Sequence, residues 1–198
     1  MRNVLADLAV ESEAATVLMM RLARAFDEGD RRFARLAVAA SKYWVSKRAP
    51  ALVAEALECL GGNGFVEESM MPRLYREAPL NSIWEGSGNV IALDVLRAMA
   101  KEPDALERIM IEIRLAGDPR IEKFAAGIHA DVSEQDGRRV AERLALALQA
   151  SLLIRFSPPA IGDAFCASRL EGDWGHAFGT LPRGLDLDSI LRAAWVSP

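Results

Sequence analysis

Long segments of helical periodicity dominate this 198-residue chain and restrict what it can fold into. In residues 2–28, apolar side chains recur every three or four positions, the spacing of one face of an α-helix. The members of this stripe are Val4, Leu8, Ser12, Ala15, Met19, Leu22 and Phe26. Residues 31–60 favour a second long helix, and the period-two alternation of a strand appears nowhere. The sequence therefore predicts an all-α protein.

Glycine, aspartate and proline divide these segments. Gly29 fits the end of the first helix, and Asp30 fits the N-cap of the second. Pro50 removes a backbone donor inside the second helix, so we expect a kink there. Gly61 and Gly62 are expected to end that helix.

A third long helix is predicted at residues 87–100, after an irregular segment with at most one helical turn. Three long helices in residues 1–101 are typical of part of a four-helix bundle.

Residues 102–198 form a second predicted unit, a C-terminal helical lobe. Its helices are expected near residues 103–116, 119–132, 136–156 and 187–195. The segment 136–156 is apolar on nearly all sides, which indicates a central position.

Charge and cysteine content exclude several classes of protein. The net charge of −4 gives no overall attraction to nucleic acid or anionic membranes. Two cysteines, Cys59 and Cys166, and two isolated histidines lack metal-ligand spacing, so no metal site is predicted. We expect free thiols in a cytoplasmic protein. The longest apolar run is too short to span a membrane.

Two blocks, "ECLGGNGFVEE" and "PRLYREAPLNSIWEGSGNVIALDVLRAM", carry a family resemblance. They resemble the C-terminal helical domain of the acyl-CoA dehydrogenase flavoproteins, which carries a GGxG turn and then an aromatic–Glu–Gly–Ser/Thr turn. The second block is most similar to the alkylation-response, AidB-like branch, which also has an extra C-terminal helical lobe.

The resemblance implies that Glu85 is the catalytic base, which takes the proton α to a thioester carbonyl while the β-carbon gives hydride to flavin. A carboxylate suits this task when burial beside an apolar ring raises its pKa, and Trp84 is the ring expected here. The alternative is that Glu85 only places a negative charge before a helix N-terminus.

The resemblance also implies that this region contacts FAD. The candidate residues are Gly61, Gly62, Trp84, Gly86, Ser87 and Asn89, with Gly64 completing the GGxG turn. Glycine permits positive φ and close approach of a cofactor, but these residues also fit ordinary helix caps. Glu55 departs from the family, where many members carry a flavin-contacting Gln, and a carboxylate there would repel pyrophosphate.

Family members have an N-terminal helical domain and a β-domain before this helical domain. We therefore interpret the chain as a fragment and expect that alone it neither holds FAD tightly nor turns over acyl-CoA. Bundle helices form the homotetramer core in the family, so exposed apolar stripes would favour self-association.

The AidB-like branch implies binding of double-stranded DNA through the C-terminal lobe. The principal candidates are Arg97, Arg138, Arg139 and Arg143, with Arg114, Arg120 and Lys123 as further cations. A salt-bridged surface paired with Glu134, Asp136 and Glu142 is the alternative. Three hypotheses remain open: a dehydrogenase domain, a DNA-protective module with vestigial activity, and a bundle that only assembles subunits.

Overall fold

The computed structural model describes residues 1–129 and 132–195. That part of the chain is helical with connecting turns and contains no strand, which confirms the predicted all-α class. The α-helices are Arg2–Asp27 (α1), Arg31–Cys59 (α2), Gly62–Phe65 (α3), Met71–Glu77 (α4), Gly88–Lys101 (α5), Pro103–Arg114 (α6), Pro119–Ala125 (α7), Gly137–Phe156 (α8), Pro159–Phe165 (α9) and Leu187–Ala194 (α10). Turns of 3₁₀-helix lie at Ala78–Ser82 and Glu134–Asp136, and a π-helical turn lies at Cys166–Leu170.

Four helices form the centre of the molecule. Helices α2 and α8 pack against each other, and each also packs against α1 and α5. Helix α8 is buried on nearly every side, as its apolar sequence predicted. A helix from the second half of the chain thus joins the three long helices of the first half, and their buried side chains form one continuous core.

The connection between α1 and α2 follows the sequence closely. Gly29 has a φ of +69°, and the Asp30 carboxylate accepts a hydrogen bond of 3.1 Å from the backbone N–H of Phe33. This confirms the predicted stop and N-cap. Helix α2 continues through Pro50 and ends at Cys59, just before Gly61.

The buried face of α1 differs from the predicted apolar stripe. Met19 is 59 % exposed and Phe26 is 68 % exposed, whereas the charged residues Asp7, Glu11 and Arg21 are buried. The apolar stripe is thus not the buried face of α1, and tertiary ion pairs make burial of these charges tolerable. Much of the predicted stripe instead lines an apolar groove between α1 and α2 that is open to solvent.

One buried ion cluster joins α1 and α2 to the C-terminal region. Arg169 donates hydrogen bonds to Asp7 and to Glu11 (3.0 Å), and Arg48 donates to Glu11 at 3.0 Å. The ring of Trp174 lies 4.2 Å from the Arg169 guanidinium carbon. This cluster fastens the segment after α9 to the first two helices.

A second cluster surrounds Glu112 on α6. Its carboxylate accepts hydrogen bonds from Arg21 (2.9 Å), Arg155 (2.8 Å) and Arg108 (3.3 Å). Its backbone carbonyl accepts from the Ser151 hydroxyl at 3.0 Å. One carboxylate therefore links α1, α6 and α8.

Helix α7 is shorter than predicted, since the expected helix at 119–132 ends at Ala125. The Arg143 guanidinium lies 4.2 Å from the centre of the Phe124 ring and donates to the Phe124 carbonyl, an acceptor near the helix end. Gly127 makes room for it, because a Cβ there would lie 2.5 Å from Arg143 Nη2.

Candidate active-site turn and cofactor contacts

The turn that carries Glu85 connects the Ala78–Ser82 3₁₀-helix to α5. The Trp84 backbone N–H donates to the Leu80 carbonyl at 3.1 Å, which closes the 3₁₀ segment. Glu85 follows with a φ of +55° and Gly86 with a φ of +112°. Within the described residues, Glu85 is the one non-glycine residue with a positive φ, so the turn holds a side chain in a conformation that normally selects glycine.

Lys42 of α2 donates hydrogen bonds to the backbone of this turn. Its Nζ donates to the Trp84 carbonyl at 2.6 Å and to the Gly86 carbonyl at 3.0 Å. The two acceptors are the carbonyl groups that flank Glu85. No local sequence pattern indicates this contact, since Lys42 lies 42 positions before Trp84 in a long helix.

The Glu85 side chain and the Trp84 indole both face solvent in this chain. Glu85 is exposed, and Trp84 retains 56 % of its accessible surface. The apolar burial that the sequence led us to expect around Glu85 is not supplied by the described residues. An apolar surface that excludes water from this carboxylate would have to be supplied by residues other than those described.

Two glycines of this segment lie close to neighbouring side chains. A Cβ on Gly86 would lie 3.1 Å from Cγ1 of Ile91, and one on Gly88 would lie 2.7 Å from Cε of Lys47. Gly88 is buried at the start of α5 and was not among the predicted site residues. Gly88 lies within the "EGSGN" motif of the sequence, and the structure places it next to the Lys47 side chain of α2.

In the second glycine turn, at the end of α2, one glycine is closely packed and two are open to solvent. A Cβ on Gly64 would lie 2.1 Å from the Leu57 carbonyl oxygen, so this glycine allows the chain to fold back on α2. Gly61 and Gly62 have no atom within 4 Å of a built Cβ, and Gly61 has a φ of +57°. The described part of the chain gives Gly62 no packing reason to lack a side chain. Its open backbone suits the close approach of another group.

These two groups of candidate cofactor residues lie far apart on one chain. The start of α5 contacts Lys47 of α2, whereas Gly61 lies beyond the C-terminal end of the same helix. At 1.5 Å per helical residue, the stretch from Lys47 to Gly61 spans roughly 20 Å. The structure therefore presents two separate surfaces rather than one pocket.

The charge around the two surfaces differs. Burial raises the pKa of the Cys59 thiol, and the nearby carboxylates Glu55 and Glu58 raise it further. Both carboxylates thus lie near the end of α2, where they disfavour an anionic pyrophosphate. The start of α5 suits an anion better, because Ser87 makes no side-chain cap and leaves the first backbone N–H groups of the helix available.

Asn89 joins the candidate cofactor surface to α8. Its side-chain carbonyl accepts a hydrogen bond of 2.7 Å from Nε of Arg138. Both side chains are exposed, and they line a shared polar cavity with Glu134 and Gln135. A residue predicted to contact FAD and a residue predicted to contact DNA are therefore direct neighbours.

The other arginines of the predicted DNA surface have different environments. Arg143 is half-buried on Phe124, as described above, whereas Arg97 and Arg139 are exposed. Asp136, a predicted ion-pair partner, accepts instead from the Ser133 hydroxyl at 2.8 Å. The structure thus separates Arg143 from the exposed cations rather than placing all four on one open face.

Residues 1–129 and 132–195 contain no group of three or more His, Cys, Asp or Glu side chains placed to hold a metal ion. No helix in this part of the chain is long and apolar enough to cross a membrane. Both cysteines are free, and burial raises the pKa of the Cys166 thiol to about 12.

Comparison with known proteins places the chain among acyl-CoA dehydrogenases. The family described as acyl-CoA dehydrogenase, C-terminal domain, matches residues 1–100. The putative acyl-CoA dehydrogenase AidB of Escherichia coli K12 is 36 % identical over 98 % of this chain, which corresponds to 37 % of AidB. Acyl-CoA dehydrogenase family member 11 of Caenorhabditis elegans is 31 % identical over 75 % of this chain and 23 % of its own length. The matched region is thus little more than a third of AidB and less than a quarter of the Caenorhabditis elegans relative.

Solved structures show the same fold. Caenorhabditis elegans ACDH-11, solved in complex with C11-CoA, superposes with a TM-score of 0.68 over 81 % of this chain and 34 % of its own, at 22 % identity. The Bd2924 apo-form has a TM-score of 0.64 over 76 % of this chain and 32 % of its own, at 24 % identity. The resemblance read from the two sequence blocks is confirmed, and the AidB match extends through the C-terminal lobe. This chain belongs to the acyl-CoA dehydrogenase family and contains the family's C-terminal domain in residues 1–100.

Proposed function

We propose that this chain contributes the C-terminal helical domain to an FAD-dependent oxidoreductase that dehydrogenates an acyl-CoA thioester between Cα and Cβ. The main support is the backbone of Glu85, a carboxylate held at a φ of +55° in the turn that the family motif marks. Such conformations cost roughly 1–3 kcal/mol and cluster at functional sites.

In this proposal Glu85 is the base. Its carboxylate takes the proton from Cα of the thioester, and a double bond forms between Cα and Cβ. Flavin, when bound, supplies the acceptor for the hydride that leaves Cβ. The exposed indole of Trp84 offers one apolar wall beside the carboxylate, and a second wall from another domain or subunit would complete a water-poor site.

Replacement of the carboxylate tests this role. In the FAD-loaded oxidoreductase to which this chain contributes its helical domain, Glu85→Gln should lower kcat at least a thousandfold with butyryl-CoA or octanoyl-CoA as substrate, because an amide does not accept the proton. Glu68→Gln, an exposed carboxylate outside the turn, is the matched control and should retain activity. An active Glu85→Gln enzyme would show that the base lies elsewhere.

The cofactor residues fit FAD in part. Ser87, Asn89 and the free N–H groups at the start of α5 suit a polar or anionic portion of FAD, while Glu55 and Glu58 weaken the fit at the Gly61–Gly62 turn. Because the two surfaces are separate, we propose that the 198-residue chain alone holds FAD weakly and does not turn over acyl-CoA. A yellow preparation of this chain with one flavin per chain would contradict the proposal.

A second candidate function is binding of double-stranded DNA. It is favoured by three exposed arginines, Arg97, Arg138 and Arg139, on the packed pair α5 and α8 of an otherwise acidic protein. Binding of a 20-base-pair duplex should weaken steeply with salt, and replacing the three arginines by glutamine should reduce the slope by roughly 2–3. Arg24→Gln, in an ion pair on α1, is the control. No binding at low salt would exclude this function.

A third candidate is assembly with further copies of the chain. The groove between α1 and α2 measures about 410 Å³ and is lined mainly by apolar side chains, including Met19, Leu22, Val45 and Leu52. Uncovered apolar surfaces of this kind favour association. Sedimentation should show an oligomer that Met19→Glu disrupts, and a monomeric wild-type chain at high concentration would argue against it.

A further inference from the structure

The contact between Lys42 and the turn that carries Glu85 has no role in the function proposed so far. Lys42 donates from one ammonium group to the carbonyls of Trp84 and Gly86. Both hydrogen bonds go to the backbone and not to the Glu85 carboxylate. We propose that Lys42 is a positioning residue for the base, which fixes the backbone conformation that presents Glu85; this inference rests on the proposed function.

The two acceptors define the orientation of the whole turn. The Trp84 carbonyl belongs to the peptide plane before Glu85, and the Gly86 carbonyl belongs to the plane after Gly86. Between these planes lie the φ and ψ angles of the two residues with positive φ, +55° and +112°. A single donor that binds both carbonyls therefore restrains the four angles that set the direction of the Glu85 side chain.

Lys42 is itself held by a rigid support. It lies in the long helix α2, between the buried residues Ser41 and Tyr43. Its own carbonyl accepts a hydrogen bond of 2.6 Å from the Ser46 hydroxyl. Lys42 as a residue is half-buried, and hydrogen bonds from a charged donor are stronger than those between neutral groups. The turn is thus tied to the protein core and not only to its neighbours in sequence.

Lysine suits this task for a chemical reason. Its ammonium group has three donors and no acceptor, so it can bind two carbonyls that neutral donors would share less well. Methionine keeps a similar unbranched stem but removes all donors. Arginine keeps the charge and offers donors in a different geometry, so Lys42→Arg tests for partial rescue.

The first experiment measures the turn in the 198-residue chain without cofactor. Exchange of the Trp84 amide hydrogen, which donates to Leu80, is followed by NMR in Lys42→Met and in Lys101→Met. Lys101 is exposed near the end of α5, away from the turn, and its replacement causes the same change in charge. We expect at least tenfold faster exchange in Lys42→Met and less than twofold change in Lys101→Met. Equal exchange in both variants would overturn the proposal.

The second experiment measures turnover of octanoyl-CoA by the FAD-loaded oxidoreductase to which, in our proposal, this chain contributes its helical domain. Lys42→Met should lower kcat at least tenfold while KM changes less than threefold, because the base is misplaced but the substrate still binds. Lys42→Arg should recover part of kcat, and Lys101→Met should keep it within twofold. An unchanged kcat in Lys42→Met, or a rise in KM alone, would overturn the positioning role. If Lys42→Met does not fold, Lys42→Leu, which also removes every donor, replaces it and must show the same loss of kcat.

A failure of the proposed base and a failure of the positioning role of Lys42 give different results. If Glu85→Gln retains full activity, the proposed base is wrong, whatever Lys42 does to amide exchange. If Glu85→Gln is inactive but Lys42→Met is fully active, the base is correct and the positioning role of Lys42 is wrong.

Discussion

Glu85 has a backbone conformation in which an L-amino acid brings its Cβ close to the following carbonyl oxygen. Glycine avoids this contact, so the chain would be more stable with glycine at this position. The retention of a carboxylate there is the observation that ties the backbone geometry to the proposed chemistry.

Two substitutions at this position should therefore separate stability from function. We expect Glu85→Gly to raise the free energy of unfolding by about 1 kcal/mol, because the positive φ no longer costs energy. Glu85→Gln keeps the Cβ and should leave stability unchanged. Urea unfolding of the 198-residue chain measures both, and a destabilised Glu85→Gly variant would contradict this account.

Glu112 shows how the environment of one residue sets its pKa. Burial alone would raise the pKa of this carboxyl, but hydrogen bonds from Arg21 and Arg155 outweigh burial and lower the pKa from 4.5 to about 2. The folded state therefore binds the Glu112 proton less readily than the unfolded state does.

This lowered pKa predicts a specific loss of stability in acid. The contribution of Glu112 is present above pH 4.5 and is lost as the pH falls from about 4.5 to about 2, with a size of about 3 kcal/mol. Glu112→Gln should be destabilised by a similar amount at pH 7, since the arginines lose their anion. Its stability should fall less steeply than that of the wild type over the same pH range. Parallel urea unfolding at pH 7, 4.5 and 2.5 measures the difference, and identical slopes would refute the assignment.

At the scale of elements, α5 and α8 are linked by the hydrogen bond between Asn89 and Arg138. The contact crosses from the residues matched by the family domain to the second half of the chain. It directs the side-chain oxygen of Asn89 toward α8 and leaves the two N–H donors of that side chain unused by this hydrogen bond.

A double-mutant cycle measures this link. Asn89→Ala and Arg138→Ala should show a coupling energy of roughly 0.5–1 kcal/mol in unfolding, a modest value because both side chains are exposed. The cycle with Arg139→Ala, the adjacent exposed arginine, should show none. Equal coupling in the two cycles would mean that the hydrogen bond is not formed in solution.

Element boundaries were predicted well where local chemistry sets them. The Asp30 cap and Gly29 fixed the junction of α1 and α2, and the apolar sequence of α8 indicated its central place. The buried face of α1 could not be predicted from its apolar stripe, because the sequence of one helix does not reveal that Arg48 and Arg169, far along the chain, neutralise its acidic residues. The end of α7 was missed for the same reason, since Arg143 of α8 contacts it.

At the scale of the whole molecule, one core joins the two halves of the chain. Buried residues of α8 contact α1, α2 and α5, and the Glu112 cluster adds ion pairs from α1 and α8. The division into units at residues 1–101 and 102–198 remains a prediction about sequence and ancestry. The shared core bears instead on whether either unit is stable when separated from the other.

We expect the full chain to unfold in urea in a single cooperative transition, because both halves contribute to the same core. Residues 1–101 alone should lack a cooperative transition, since removal of α8 exposes the inner faces of three helices. Far-ultraviolet circular dichroism and tryptophan fluorescence follow the two preparations. Two separate transitions in the full chain, or a stable 1–101 fragment, would contradict the single-core description.

The sequence by itself determined the all-α class, the junction of α1 and α2, the central place of α8 and the family of the protein, because periodicity, caps and the GGxG and Trp–Glu–Gly motifs are local in the chain. Only the tertiary structure decided which face of α1 is buried, that Lys42 holds the Glu85 turn, that Arg138 meets Asn89, and that the two glycine-rich turns form separate surfaces. These features depend on contacts between residues far apart in sequence, and the free energy of burying a charge or straining a turn depends on partners that no short segment contains.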